Sequence, residues 1–359
     1  MNRRHFLYLA GLLPLGIGCS ALPVFRMELV LRLEDPAGPN DLPAHIFYLA
    51  SLAPSSHNTQ PWLLRPQSKT DWLLALDEKR CLPAVDPYCR EMFLSLGTFM
   101  ENLMQAATAY GCHASYAWDS SDRLRLRIHV QPTGILRDET SIRLLKKRRT
   151  LRRHLLTDPL TAGEQSYILG NDALAAFIPR TSKAGQIIAK LTQDANQKQS
   201  GKPAIQKELS HWVRWQHADQ RRFEDGLSPE TMEMNFFLKW LAEYFFKPKD
   251  VLSPFFQKSS LEQIETQLTE SAGWIICCSA GEQPVDLLET GRRLEALWLR
   301  AAAYDLALHP MSQALEETDC RQQLEQAIAL PRIQFLARIG HCAAYPPPVS
   351  LRRPLENIL

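Results

Sequence analysis

The sequence predicts an α+β fold in which two related units lie within one chain of 359 residues. The first observation is a repeat: Gly97 and Gly291 stand in similar apolar helical segments, 194 positions apart. The second observation is that β-prone segments flank each of these helices. A repeated helix with similar strands on either side predicts two halves related by a pseudo-twofold axis, so that one chain imitates a symmetric homodimer.

The individual elements follow in chain order after an irregular lead-in over residues 24–40. Residues 42–53 have the apolar spacing of a helix and end at Pro54. Strands are predicted at residues 72–76 and 124–130, where β-prone residues alternate or share one sheet face. A second pair of strands is predicted at residues 274–279 and 334–339. A long helix is expected between the members of each pair.

The repeat within the two long helices rests on six residues with one common offset. Gly97, Glu101, Leu103, Ala107, Ala109 and Tyr110 recur as Gly291, Glu295, Leu297, Ala301, Ala303 and Tyr304. Chance agreement of Ala and Leu on two buried helices is the competing explanation, and the co-registered Gly, Glu and Tyr disfavour it. The small residues predict tight packing of the two helices.

Composition excludes several classes of function. There are 41 Lys and Arg residues against 39 Asp and Glu, so no global field exists to hold nucleic acid. The eight cysteines show no metal-ligand spacing, so no metal site is expected. Any cationic binding site must therefore be local.

The N-terminus indicates a targeting segment. Arg3 and Arg4 precede an apolar stretch that is too short to span a bilayer, a pattern typical of twin-arginine export signals. We expect residues 1–22 to be this signal and the protein to reach the periplasm. A basic apolar anchor that stays on the membrane surface is the alternative, and lipid attachment at Cys19 is a further open possibility.

Three motifs in order carry a family resemblance. Residues 53–62 read Ala-Pro-Ser-Ser-His-Asn-Thr-Gln-Pro-Trp, and residues 148–153 read Arg-Arg-Thr-Leu-Arg-Arg. Near the end of the chain, residues 351–356 read Leu-Arg-Arg-Pro-Leu-Glu. They resemble the flavin-contacting loop, the phosphate-binding stretch and the C-terminal basic segment of the nitroreductase family. Together with residues 86–97, their order is similar to the Acg-like branch, in which two nitroreductase units are fused. The resemblance implies a nitroreductase-like fold and an FMN cofactor.

The residue chemistry is compatible with that cofactor. The amides and hydroxyls of Ser55, Ser56, Asn58 and Gln60 suit the pyrimidine edge of a flavin. A phosphate dianion suits guanidinium groups assisted by a hydroxyl, and the candidates are Arg148, Arg149, Thr150, Arg152 and Arg352. By resemblance only, residues 302–311, followed by Ser312, are expected to form the end of the family's central helix and the loop that passes the flavin ring. Within this loop, Pro310, Met311 and Ser312 are expected to face the reactive nitrogen of the ring.

Each of these segments also has an ordinary structural explanation. The basic run can be a solvated surface, and the loop can be a polar turn in which His57 faces solvent. No protein residue is assigned a catalytic role, because the flavin carries the chemistry. One FMN per chain is expected, since each motif occurs in one half.

The predicted organisation has an N-terminal unit at residues 41–135 and a C-terminal unit at residues 140–345, followed by a basic tail at 346–359. An insertion at residues 196–261 matches nothing and is rich in aromatics. Its aromatic residues are Trp212, Trp215, Phe223, Phe236, Phe237, Trp240, Tyr244, Phe245 and Phe246. Core packing is the favoured explanation for most of them, and a lid over the flavin is the alternative.

The expected function is an FMN-dependent oxidoreductase that passes electrons to a small acceptor such as a nitroaromatic or a quinone. The donor stays open among NAD(P)H, a quinol and a redox partner. The competing hypotheses are a non-catalytic FMN-binding or storage protein with a covered flavin, and a structural protein without flavin. We expect a monomer with pseudo-dimer architecture that does not bind nucleic acid.

Overall fold

The computed structural model describes residues 41–119, 122–330 and 332–359, and the side chains of residues 122–124 are not described. The predicted export signal and Cys19 lie outside these residues. The described part has the predicted α+β architecture, with two antiparallel four-stranded sheets. No helix within it is long and apolar enough to cross a membrane.

The first sheet contains β1 (Trp62–Pro66), β2 (Asp71–Leu76), β3 (Cys112–Asp119) and β4 (Asp122–Pro132), in the order β1-β2-β4-β3. The second sheet contains β5 (Ala175–Pro179), β6 (Gly273–Cys278), β7 (Ala307–Pro310) and β8 (Ile333–Gly340), in the order β5-β6-β8-β7. The two orders are equivalent, which is consistent with two fused units.

The four predicted strands correspond to β2, β4, β6 and β8, the central strands of the two sheets. Sequence patterns missed all four edge strands. Residues 302–311 were expected to form a helix end and a loop, and this is wrong for residues 307–310, which form β7 because they pair with β8.

The helices include α1 (Leu42–Ser51), α2 (Arg90–Ala109), α3 (Glu139–Lys147) and α4 (Ala162–Leu169). The Asp41 side chain starts α1 by accepting a hydrogen bond from Ala44 N at 3.2 Å. A capping box between Thr161 and Glu164 starts α4. The next helices are α5 (Lys183–Ser200), α6 (Pro203–Trp212), α7 (His217–Phe223), α8 (Phe236–Phe245), α9 (Pro254–Thr269), α10 (Pro284–Ala303), α11 (Gln313–Glu316) and α12 (Thr318–Ile328).

The two repeated helices, α2 and α10, pack directly against each other through their glycines. A Cβ atom added to Gly97 would lie 2.8 Å from the Gly291 Cα and collide with the Leu288 carbonyl oxygen. A Cβ atom added to Gly291 would collide with the Leu94 carbonyl oxygen. Leu94 and Leu288 are themselves 194 positions apart, so the contact is reciprocal, as at a twofold interface.

The inserted helices lie between two neighbouring strands of the second sheet. Residues 67–70 connect β1 to β2, whereas residues 180–272 connect β5 to β6 and contain α5 to α9. The predicted insertion therefore begins inside α5 and ends inside α9. Its own small core is built around the buried Trp215 and Val251.

The expectation that most of the insertion's aromatics are buried is wrong. Six of the nine are exposed, and five of these lie on α8 or at its end. Helical spacing in the sequence does not indicate which apolar face of α8 the rest of the chain covers. The six exposed residues are Phe223, Phe236, Phe237, Trp240, Tyr244 and Phe245.

The C-terminal tail crosses to the first unit. Leu64 N in β1 donates a hydrogen bond to Ile358 O at 2.6 Å, and Ile358 and Leu355 are buried in the first unit's core. The tail thereby carries its arginines to the loop that follows α1.

Candidate functional site

The loop of residues 53–62 has a strained backbone. His57, Asn58 and Gln60 all have positive φ, at 50°, 54° and 51°, although none is a glycine. Such conformations cost free energy, and they persist only where the surroundings hold them, often at functional sites. Here Ser55 Oγ accepts a hydrogen bond from Gln60 N at 2.9 Å, and Ser56 N donates to Ser95 Oγ at 3.3 Å.

The two amide side chains of this loop connect it to the insertion and to the tail. Asn58 Nδ2 donates to Gly226 O and to Leu351 O, both at 3.1 Å. Gln60 Oε1 accepts from Arg353 N at 2.8 Å. These bonds explain how the loop is held in its conformation.

Three of the predicted phosphate-binding arginines have partners within the protein. Arg148 Nε lies 2.8 Å from Glu295 Oε1, and its guanidinium carbon lies 4.9 Å from the centre of the Trp298 ring. Arg149 pairs with Glu233 at 2.9 Å. Arg352 donates to Asn58 Oδ1 at 2.9 Å. Each guanidinium therefore already binds an oxygen of the chain.

A cavity of about 760 Å³ lies beside this network. Its walls include the two long helices, through Leu94, Leu294 and Trp298, and the insertion, through Leu238 and Phe246. Seven of the predicted site residues line it, namely Ser55, Ser56, Thr150, Arg152, Pro310, Met311 and Ser312. The other five, Asn58, Gln60, Arg148, Arg149 and Arg352, are not among its lining residues, so their contact with a ligand stays a prediction.

Arg152 and Arg153 are the guanidinium groups on the cavity lining. Arg152 Nη1 donates to Thr231 O at 2.5 Å, and burial lowers its pKa to about 10, so it remains charged at neutral pH. Arg153 Nη2 donates to Gln263 Oε1 at 2.8 Å, while its buried Nε has no hydrogen-bond partner among the described residues. Glu233 Oε2 accepts from both backbone amides, at 3.0 and 2.8 Å, and fixes this turn.

Two histidines on the cavity lining are held neutral. Burial, and then the charge of Arg152, lower the pKa of His57 to about 4. Burial and the charge of Arg338 lower the pKa of His309 well below its usual value, and Arg338 Nε donates to His309 Nδ1 at 3.2 Å. The suggestion that His57 faces solvent is wrong, because its side chain is half-buried against the cavity.

Three carboxyl groups, those of Glu91, Asp250 and Glu316, lie on the cavity lining as well. Glu91 pairs with Arg90 at 2.6 Å, and Glu316 Oε2 accepts from Gln199 Nε2 at 2.7 Å. Burial, and then the charge of Glu91, raise the pKa of Glu316 to about 8. Glu316 can therefore keep a proton at neutral pH.

Sequence reasoning missed part of this lining. Glu91 and Ser95 stand in the segment that resembles the Acg-like branch, so that segment was the available signal for them. Arg153 stood next to the predicted Arg152. Glu316 follows no motif, and only the tertiary fold brings it to the cavity.

Comparison with known proteins gives one extended sequence similarity. The chain is 22% identical over 319 residues to the "Probable NAD(P)H nitroreductase PigM" of Serratia sp. (strain ATCC 39006), covering 81% of this chain and 86% of that protein. No family model matches the sequence.

The chain also has low-identity matches among solved structures. One is the FMN-dependent nitroreductase NfnB from Mycobacterium smegmatis in complex with NADPH, with 12% identity, a TM-score of 0.39, and 62% of this chain and 97% of that chain covered. Another is the NADPH:FMN oxidoreductase from Vibrio harveyi complexed with NAD+, with 10% identity, a TM-score of 0.33, and 61% and 75% covered. The sequence similarity to PigM, together with the three motifs, supports a relationship of this chain to the nitroreductase family.

Proposed function

We propose that this chain is an FMN-dependent oxidoreductase that transfers electrons to a small oxidised acceptor of the nitroaromatic or quinone type. The observation that carries the proposal is the cavity, which Ser55, Ser56, Thr150 and Arg152 line together with residues 310–312. The similarity to an NAD(P)H nitroreductase supports NAD(P)H as the donor. A quinol or a redox partner is the donor that a periplasmic location would favour.

The residues present fit FMN. The cavity lies within the range of about 300–1,000 Å³ that is usual for cofactor and small-ligand sites. Arg152 and Arg153 offer a cationic pair for a phosphate. Trp298 and Phe335 give apolar walls that suit a planar ring.

FMN, when bound, supplies hydride transfer at its N5 atom. The chain's own residues hold and orient the reactants around it. Arg152 keeps its charge despite burial and therefore balances a phosphate dianion. Glu316 lines the cavity and burial raises its pKa to about 8, so its carboxyl is the group that we assign to hold a proton for a reduced acceptor.

A storage function is the second candidate. Its supporting observation is that the inserted residues Leu238, Phe246 and Phe256 line the same cavity as Ser55 and Ser56 of the motif loop. A segment in that position can exclude a second ring from the flavin. In that case FMN would bind but turn over slowly.

The test begins with the visible spectrum of the purified protein and with an FMN titration. Arg152→Ala should weaken FMN binding by about 10- to 150-fold, the equivalent of about 1.5–3 kcal/mol for a lost charge-assisted contact. Arg143→Ala, on the exposed side of α3, is the matched control and should bind FMN normally. Unchanged affinity in Arg152→Ala, or no flavin binding by the intact protein, would refute the site.

Turnover separates the two candidate functions. The FMN-loaded protein is mixed with NADPH, then with a quinone or a nitroaromatic, and the flavin absorbance is followed in a stopped-flow instrument. Reduction followed by rapid reoxidation supports the oxidoreductase. Flavin that stays oxidised with NADPH and with a soluble quinol, or that reoxidises only slowly, supports storage.

We further propose that the chain arose by duplication within the Acg-like branch and that residues 1–22 direct it to the periplasm, with lipid attachment at Cys19 as a variant of this route. The equivalent strand orders and the reciprocal glycine contact support the duplication. The Arg3-Arg4 pair and the apolar segment after it support the export.

A further inference from the structure

The inserted helix α8 is apolar on two faces. Its inner face consists of Leu238, Ala242 and Phe246, spaced four residues apart. Ala242 is fully buried, while Leu238 and Phe246 line the cavity. This face is covered by the chain and explains why the helix docks.

The outer face of α8 is aromatic and uncovered. Phe236, Phe237, Trp240, Tyr244 and Phe245 are between 48% and 86% exposed. Their rings form a cluster, because Trp240 lies 5.7 Å from both Tyr244 and Phe245 and 6.4 Å from Phe237, measured between ring centroids. Single exposed apolar residues are ordinary, whereas a contiguous aromatic patch indicates an interaction surface.

Exposed lysines follow this aromatic face. Lys247 and Lys249 follow the end of α8. Lys258 stands in the second turn of α9, three positions after the exposed Phe255. Among the nearby acids, Glu243 contacts His217, and Asp250 Oδ2 accepts a hydrogen bond from Lys247 N at 2.7 Å. Lys258 also pairs with Glu262 at 3.8 Å, but both of these side chains are more than half exposed. The segment therefore combines aromatic rings with solvent-exposed ammonium groups.

We infer that the outer face of α8 binds the surface of an anionic lipid bilayer. Tryptophan and tyrosine rings settle at the level of the lipid headgroups, and lysines next to them are attracted by anionic lipids. The inference does not depend on flavin binding.

The arrangement has a consequence for the cavity. Leu238 of α8 lines the cavity, and so does Phe255, which is 69% exposed. A bilayer that binds the outer face of α8 therefore lies against a helix that forms part of the cavity wall.

The main experiment measures binding of the full chain to vesicles by co-sedimentation. Vesicles of phosphatidylcholine alone are compared with vesicles that also contain phosphatidylglycerol. Phe237→Ser/Trp240→Ser should reduce the partition coefficient on the anionic vesicles by at least about tenfold, because two rings lose their burial at the interface. The N-terminal segment is the same in every variant, so the difference reports on α8.

The matched control is Ile135→Ser/Leu136→Ser, which removes two apolar side chains of similarly high exposure elsewhere on the surface. It should bind vesicles like the unmodified protein. Lys249→Glu/Lys258→Glu should lose most of the preference for phosphatidylglycerol and leave binding to phosphatidylcholine unchanged. Brominated lipids should quench the fluorescence of the unmodified protein more than that of Trp240→Phe.

Equal vesicle binding by the unmodified protein and the Phe237→Ser/Trp240→Ser variant would overturn the inference. Sedimentation velocity without vesicles tests the other occupant, a second copy of the chain. A dimer that the same substitutions convert to a monomer, with no difference in vesicle binding, would assign the face to self-association and also overturn it.

Discussion

The contact between Gly97 and Gly291 allows a stringent test of the packing of the two units. Gly97→Ala places a Cβ atom 2.8 Å from the Gly291 Cα and 2.9 Å from Arg292 N, and against the Leu288 carbonyl oxygen. All three neighbours are backbone atoms, which cannot rotate away as a side chain can. The helices must therefore separate to accept the methyl group.

The size of the effect follows from two opposed contributions. Overpacking a tight contact costs about 1–3 kcal/mol and at times more, because close contacts along the whole interface are lost. Replacing a mid-helix glycine by alanine returns up to about 1 kcal/mol through helix propensity. We expect a net loss of about 2 kcal/mol in the free energy of unfolding.

The assay is urea denaturation of the unmodified protein and its variants, with the slope of the transition checked for each. Gly163→Ala is the matched control, because the added methyl group meets only Thr161 Oγ1 at 3.9 Å, and it should be neutral or stabilising by up to about 1 kcal/mol. The double variant Gly97→Ala/Gly291→Ala should lose less free energy of unfolding than the two single variants lose together, since the first substitution already separates the helices. Equal stability of Gly97→Ala and Gly163→Ala would refute the close contact.

Two further predictions concern protonation. The half-buried His57, whose pKa is lowered from 6.5 to about 4, favours the folded state above pH 6.5, and this stability is lost as the pH falls towards 4. His57→Asn, which tolerates positive φ, should therefore lessen the loss of melting temperature between pH 6.5 and 4, and an unchanged pH profile would contradict the burial of His57. Because Glu316 releases its proton as the pH rises through about 8, acceptor reduction should slow above that pH. Glu316→Gln should be slow at all pH values while still binding FMN, and a normal rate at pH 7 would exclude Glu316 as the proton source.

The central strands of each sheet were predictable from sequence because burial makes their pattern strong. Every residue of β6 and β8 is buried, and β2 alternates buried and half-buried residues. Edge strands carry weaker signals, since one side lacks a partner and prolines are tolerated. Accordingly β1, β5 and β7 are short and each ends in a proline.

The candidate site was predictable only where a motif is local. Ser55 and Ser56 lie on the cavity, as a compact loop motif suggests. Asn58 and Gln60 in the same loop contact residues 226, 351 and 353, and these contacts depend on how the insertion and the tail fold back. Charge patterns likewise indicate that arginines are present, but not which carboxylate or carbonyl each one binds.

The unequal connections within the two sheets give the two units different contributions to this cavity. In the first unit, four residues join β1 to β2, and the ten residues between α1 and β1 form the strained loop. In the second unit, residues 170–174 take the place of that loop, and residues 180–272 take the place of the short turn. The inserted helices then line the cavity to which the first unit contributes Ser55 and Ser56. A symmetric dimer would repeat both features on each side, whereas a fused chain assigns the loop to one unit and the covering segment to the other. Because α8 belongs to the covering segment, its Leu238 lines the cavity while its opposite face carries the exposed aromatic residues.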